Sequence, residues 1–203
     1  MTDLRARPLR RGDLDPDPLR QFGAWMDAAR TEGEPLPEAA ALATAAPGGA
    51  PSLRMVLLKG ADERGFSFYT SYESRKGREL KANPRAALCF YWHAPGRQVR
   101  VEGRAERLPP AESDAYFATR PLGARLSAAV SRQSEVVAGR EELEAAVAEL
   151  AAAGLEPARP EHWGGLLVVP DRYEYWQHRE DRLHDRFRYR PGAGGWVIER
   201  LAP

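Results

Sequence analysis

The stretch "QVRVEGRAERL" (residues 98 to 108) most narrows what this chain can fold into. Gln98, Arg100, Glu102, Arg104 and Glu106 alternate with Val99, Val101, Gly103 and Ala105, the period of two that marks a strand with one wet face. The pattern has company on both sides. "AALCFYWH" precedes it across the turn "APGR", and upstream "AALATA" leads through "APGGAP" into "SLRMVLLKG", which passes through "ADERG" into "FSFYTS". "GGLLVVP" and "RYEYWQ" are two further strand candidates; "GAGG" (192 to 195) reads as a turn before the closing "GWVIERLAP". Hairpins in such succession favour an antiparallel barrel.

Helices interrupt the strands. Asp17 and Pro18 form an N-cap and first-turn pair, after which Leu19, Phe22, Trp25, Met26 and Ala29 recur at helical spacing until "TEGEPLP". "SRKGRELKANP" (74 to 84) takes Ser74 as its N-cap and stops at Asn83-Pro84, while "PPAESDAYFATRP" and "EELEAAVAELAAAG" (141 to 154) supply more. The expected class is α+β, a barrel core with peripheral helices. At 203 residues one domain is expected, residues 17 to 203, behind a polar arm of residues 1 to 16 that is loose or ordered only on contact.

Composition removes several function classes. Thirty Lys and Arg nearly balance 29 Asp and Glu, so no overall field draws the chain to nucleic acid or an anionic membrane, and any anion site must be local. The longest apolar runs, such as "AALCFYW" (86 to 92), fall far below the roughly 20 residues that span a bilayer. The N-terminal stretch is charged without a secretory-type apolar run, and a cytoplasmic location is expected. Cys89 stands alone, which excludes an internal disulfide framework, and it reads as a small buried hydrophobe. His93, His162, His178 and His184 lack metal-site spacing, so no metal is expected. Neither a P-loop nor GxGxxG is present.

Three stretches hold cations in places that invite an anion. "SRKG" puts Arg75 and Lys76 in the first turn of a helix, beside unpaired backbone N–H groups and the positive end of the dipole. A docked phosphate would make the placement favourable. "RMVLLK" (54 to 59) sets four apolar residues between Arg54 and Lys59; it is expected to be buried along most of its length, with its cations on opposite faces. "RLHDRFRY" (182 to 189), if extended, gathers Arg182, His184 and Arg186 on one face, with Leu183, Asp185 and Phe187 on the other. Each has a plainer reading as ordinary solvated charge, and none decides alone.

Their order along the chain is more specific. "RMVLLK", "FYTSYESRKGREL", "NPRAALCFYW", "RQVRVEGRAERL", "YFATRP", "SRQS", "HWGG", "YWQ", "RLHDRFRY" and "ERLAP" together resemble the pyridoxamine 5′-phosphate oxidase family, from about residue 9 to the last residue. The resemblance implies an FMN enzyme with a split β-barrel, working as a homodimer with the flavin at the subunit interface. It carries FMN contacts onto Arg54, Met55, Val56, Leu57, Leu58, Lys59, Tyr69, Thr70, Arg75, Lys76, Gln98, Gln133, Ser134, Trp176 and Arg186. The phosphate at "SRKG" would then be that of FMN. Substrate contacts fall on Lys59, Tyr116, Arg120, Arg182, Leu183 and His184, with Arg120 and Tyr116 on the substrate phosphate and Arg182 and His184 as the catalytic pair at C4′. The implied reaction oxidises pyridoxine or pyridoxamine 5′-phosphate to pyridoxal 5′-phosphate, passing a hydride to flavin and on to dioxygen, with hydrogen peroxide released.

The sequence also departs from the family. Ala124 stands where a phosphate-binding serine is expected, Ala129 where a tryptophan is common, and His178 where a small residue is usual. The "RREY"-like segment that covers the substrate has almost no room upstream of "LRRGDL", although Arg5, Arg7, Arg10 and Arg11 offer cations there. These departures keep two alternatives open: a related FMN oxidase of another heterocycle, of the phenazine-biosynthesis type, and a non-catalytic flavin-binding barrel. Intact Lys59, Tyr116, Arg120 and "RLH" favour the vitamin B6 substrate.

Overall fold

The computed structural model describes residues 7 to 154 and 156 to 203, so Arg5 lies outside the described residues. Helix α1 (Pro18–Thr31) opens the main body, capped by the Asp17 carboxylate, which accepts from Leu19 N at 2.8 Å. Strands β1 (Ala39–Ala45), β2 (Pro51–Leu57), β3 (Gly60–Asp62) and β4 (Gly65–Ser71) follow. Helix α2 (Arg75–Ala82) leads to the hairpin of β5 (Arg85–Trp92) and β6 (Arg97–Arg107). Helices α3 (Pro110–Thr119), α4 (Leu122–Val130) and α5 (Arg140–Ala152) precede β7 (Trp163–Gln177), β8 (Asp185–Gly192) and β9 (Gly195–Leu201).

All ladders are antiparallel, in the order β2-β1-β5-β6-β7-β4-β3, with β8 and β9 continuing from β7. The two ends of that path, β2 and β3, are consecutive in the chain and joined through Leu58 and Lys59. No ladder pairs them, so the sheet curls back as a barrel that stays split. "GGLLVVP" and "RYEYWQ", expected as separate strands, are one 15-residue strand: β7 passes its register shift opposite Glu102 and Gly103 without breaking. A Cβ on Gly103 would come within 2.0 Å of the Val169 carbonyl oxygen, so the bulge requires glycine there.

Helix α1 supplies the plug. Phe22 meets Phe66 edge-on at 4.8 Å between ring centroids and Phe90 at 5.0 Å, while Trp25 meets Tyr175 at 5.1 Å. Buried Tyr175 and Tyr189 hydroxyls donate to the carbonyls of Pro18 and Asp15, tying the helix entry to β7 and β8. Within the described part of the arm, residues 9 to 14 are held by contacts with the main body. Leu9 and Leu14 are buried, and Leu9 N donates to the Asp185 carboxylate. Cys89 is half-buried opposite Arg100, and burial pushes its thiol pKa up.

Two expectations fail. β2 is an exposed edge strand: Leu53, Met55 and Leu57 stand 68%, 64% and 42% exposed, and the strand ends before Leu58 and Lys59. Leu53, Met55 and Leu57 face away from this chain's own core, while Val56 packs against it. The "RLHDRFRY" run is extended only from Asp185 onward. Arg182 sits at φ +65 in the turn before β8, so it shares no strand face with Arg186. The turn is held locally, with Leu183 N donating to Asp181 and Arg182 N to the Arg179 carbonyl.

Candidate active site

The strongest local signal proves to be the start of α2. Ser74 caps the helix by accepting from Gly77 N. A Cβ on Gly77 would lie 2.2 Å from the Tyr72 carbonyl oxygen, so only glycine lets the preceding turn lie this close. Lys76 is 7% exposed, and its Nζ donates to Thr70 Oγ1 (2.9 Å), Gln133 Oε1 (3.0 Å) and Ser74 Oγ (3.1 Å). No carboxylate is among these partners. Burial, and then the nearby Arg54 guanidinium, lower its pKa to about 8. Arg75 N donates to Ser134 Oγ at 3.1 Å, and Ser134 adopts φ +78.

One carboxylate organises the neighbouring cations. Glu79 accepts from Arg75 Nε (2.9 Å), from Arg54 Nη2 (3.3 Å) and from the hydroxyls of Thr44 and Ser52 (both 2.5 Å). Burial alone would raise its pKa, but hydrogen bonds from Ser52, Thr44, Arg75 and Arg54 outweigh that and hold it at about 2. Thr44 and Ser52 are cross-strand partners on β1 and β2, so the register itself assembles this acceptor shell. Arg54, Arg75 and Lys76 against Glu79 leave an excess of two positive charges beside a groove lined by Ser52, Arg54, Arg75, Lys76, Gln133 and Ser134. A phosphate dianion matches that excess.

An adjoining pocket of about 460 Å³ is lined by Met55, Val56, Leu57, Lys59, Tyr69, Thr70, Lys76, Tyr116, Arg120, Gln133 and Trp163, among others. Tyr69 stacks on Tyr116 at 3.8 Å, and Arg120 lies 4.5 Å over the Trp163 ring. Arg120 Nη1 is buried without a hydrogen-bond partner, and burial lowers the guanidinium pKa. Arg120 lines the pocket, and an unpaired buried donor is costly wherever nothing satisfies it. Ala124 lines the same wall and offers no hydroxyl; Ser127 and Ser131 do.

The other expected site residues gather elsewhere. Gln98, Trp176 and Arg186 are register neighbours across β6, β7 and β8. His184 lies 4.7 Å from the Trp176 ring; its Nδ1 accepts from Arg179 N at 3.0 Å, which leaves the proton of the neutral ring on Nε2. Burial, His178 and Arg182 lower its pKa. Arg186 Nε donates to buried Glu174 (2.8 Å), whose second oxygen accepts from Arg100, and Arg186 Nη1 donates to the Ala202 carbonyl. Trp163 lines the first pocket, while Trp176 lies 13 residues further along the same strand, up to roughly 40 Å away at strand rise. Gln98, Trp176, His184 and Arg186 line neither that pocket nor the groove at α2, so the expected residues form two separate clusters.

Most of the expected residues thus fall into two groups. Leu58 does not: it is buried in the core. Reasoning from sequence missed Glu79 and Trp163. The first was signalled by its i,i+4 spacing from Arg75, a pairing visible on any helix. The second stands in "HWGG", a motif that carried the resemblance without a site role attached to it.

The family model described as "Pyridoxamine 5'-phosphate oxidase" matches residues 26–153, more than half of the sequence. The chain belongs to the pyridoxamine 5′-phosphate oxidase family. A second family model, "Pyridoxine 5'-phosphate oxidase C-terminal dimerisation region", matches residues 163–203, which include the β7–β8 cluster. Relatives named pyridoxine/pyridoxamine 5′-phosphate oxidase support the same family. That of Bordetella petrii is 56% identical, covering 92% of this chain and 89% of the relative. That of Rubrobacter xylanophilus is 57% identical, covering 93% and 88%. Among solved structures, PhzG from Burkholderia lata, in complex with tetrahydrophenazine-1-carboxylic acid, matches with a TM-score of 0.92 at 33% identity, over 98% of this chain and all of that one. The split-barrel fold of the family is the fold described above.

Proposed function

We propose that this chain is a cytoplasmic, FMN-dependent oxidase of pyridoxamine and pyridoxine 5′-phosphates, built as one split-barrel domain over residues 17 to 203 and working as a homodimer with the flavin at the interface. The observation that carries the reading is the division of the site. The residues that would bind phosphate lie at α2 and around β2, β4, α3 and α4, while Trp176, His184 and Arg186 lie at the β7–β8 end. A second copy brings its β7–β8 end to the first copy's pocket and covers the apolar edge of β2. The match of residues 163–203 to a dimerisation region supports this.

Within that assembly Arg54, Arg75, Lys76, Gln133 and Ser134 would hold the FMN phosphate, and Met55, Val56, Leu57, Tyr69 and Thr70 would line the flavin. Gln98, Trp176 and Arg186 would meet it from the partner. Leu58 contributes through the core behind that wall. FMN would supply the acceptor for the hydride leaving C4′ of the substrate, with dioxygen taking the electrons to give hydrogen peroxide. Arg120 and Tyr116 would bind the substrate phosphate, Lys59 would stand at the pocket mouth, and Arg182, Leu183 and His184 would close the opposite side. His184 presents Nε2, the nitrogen that can hold or release a proton, toward the ring's polar substituents.

The B6 substrate is favoured over a phenazine precursor because Arg120 keeps an unsatisfied buried donor in a pocket that also holds Lys59 and Tyr116, a phosphate-binding set. The relatives named for B6 phosphates are also much more similar to this chain than PhzG is. A non-catalytic flavin carrier would have no use for that second anion pocket. Anaerobic mixing of the flavin-loaded protein with pyridoxine 5′-phosphate, pyridoxamine 5′-phosphate and their unphosphorylated forms tests the reading. Bleaching by the phosphorylated pair alone is expected, slowed in Arg182→Ala and His184→Ala with flavin retained; a flavin that stays oxidised with all four rejects the oxidase assignment.

A further inference from the structure

Helix α4 turns one face to the pocket that Arg120 lines. Ala124, Ser127, Ala128 and Ser131 all line it, and their spacing of three, four and seven residues from Ala124 is that of a single helix face. Lys59, Lys76 and Arg120 bring three cations to this pocket, and none of the described residues lining it carries a carboxylate. The two hydroxyls of the α4 face belong to different ends. Ser131 closes the helix two residues before Gln133, whose Oε1 accepts from Lys76 at the start of α2. Ser127 lies one turn nearer to Arg120, which immediately precedes the Pro121 cap. Its Oγ donates to the Gly123 carbonyl at 2.8 Å. In an α-helix that carbonyl also accepts from the backbone N–H four residues on, which here is that of Ser127 itself. The hydroxyl proton can therefore turn to a ligand without leaving a carbonyl unpaired, and Ser127 is exposed, so a ligand can reach it.

We propose that Ser127 is a substrate-binding residue that donates its hydroxyl proton to the substrate phosphate and so sharpens the preference for phosphorylated substrates. This rests on the oxidase reading above. Arg120 lines the pocket with one buried guanidinium nitrogen unpaired, Tyr116 adds a phenol one turn before it on α3, and Ser127 adds a hydroxyl from the next helix. A phosphate monoester has oxygens enough for all three and the charge to strengthen each bond. The free hydroxymethyl group of an unphosphorylated substrate has one oxygen and no charge. Ala124, one turn back on the same face, has no side-chain donor. Arg125, between the two, is paired with Glu156 and does not line the pocket. Ser127 is therefore the first hydroxyl that α4 can offer at the Arg120 end.

The test compares the flavin-loaded protein with Ser127→Ala, a change that keeps the helix because alanine is the better helix former. The KM for pyridoxine 5′-phosphate should rise roughly fivefold, the loss falling on KM rather than kcat and with flavin still bound. The inhibition constant of unphosphorylated pyridoxine, added as a competitor, should move less than about twofold, because the lost bond is to the phosphate alone. A role in shaping the pocket wall would weaken both compounds together. An unchanged KM, or equal losses for the two compounds, would place the hydroxyl away from the phosphate and overturn the inference. If the flavin of the unaltered protein stays oxidised with the phosphorylated substrates, the oxidase reading itself fails; an active protein indifferent to Ser127→Ala overturns this inference alone.

Discussion

The α2 pocket and the β7–β8 face manage buried charge in opposite ways. At β7, Glu174 accepts from both Arg186 and Arg100, so two guanidiniums share a carboxylate that is 4% exposed. At α2, Lys76 has only neutral oxygen partners, and the Glu79 carboxylate on the same helix is occupied by Arg54, Arg75 and two hydroxyls. A compensated cation is held in place by the protein; an uncompensated one waits for charge from outside. The contrast separates a face whose guanidiniums share a buried carboxylate from one whose buried lysine has only neutral partners, although both are rich in arginine.

The largest effect should come from keeping the two faces apart. Leu53→Glu with Met55→Glu puts two carboxylates on the exposed β2 edge and is expected to give a monomer by sedimentation, with flavin affinity down more than about 100-fold because half of the contacts are gone. A dimer that persists with flavin bound would show that β2 is not the joining edge.

Next in size is Lys76→Met, which keeps the stem and removes the charge. FMN affinity in a fluorescence titration should fall on the order of 30-fold while riboflavin binding barely changes, since only the phosphate contact is lost. The same residue has a pH signature. Below about pH 8 Lys76 is protonated in both folded and unfolded chains, while from there up to its ordinary 10.5 the folded chain releases the proton first. The flavin-free protein should therefore gain stability with rising pH across that window, and FMN affinity should fall. Lys76→Met should lose both trends, and a variant that kept them would place the titrating group elsewhere.

Arg120→Ala is the smallest of the three, because the aromatic wall of the pocket remains. The KM for a phosphorylated B6 substrate should rise roughly tenfold with FMN still bound. An unchanged KM would remove the substrate phosphate from this pocket.

Much of this was legible from local pattern. The alternation in 98 to 106 is the wet-faced strand β6, Asp17 and Ser74 cap their helices, and the cations at "SRKG" do stand in the first turn of α2. These depend on residues a few positions apart, where period and capping are decided. The failures share a cause. "RMVLLK" looked buried because apolar runs usually are, yet an edge strand can hold the same residues for a surface that a second chain would cover. Arg182 looked extended because alternation continued through it, while the Asp181 and Arg179 turn contacts set its backbone instead.

The sequence by itself determined the class, most of the strands and helices, and the family, because strand period, caps and an ordered series of motifs are properties of neighbouring residues. Only the tertiary structure decided which cations are compensated, that Thr44 and Ser52 join Glu79, that Arg120 is left with an unpaired buried donor, and that Ser127 lines the same pocket. Those facts depend on register and on approaches between strands and helices distant in sequence, and there a shift of one residue exchanges one face for the other.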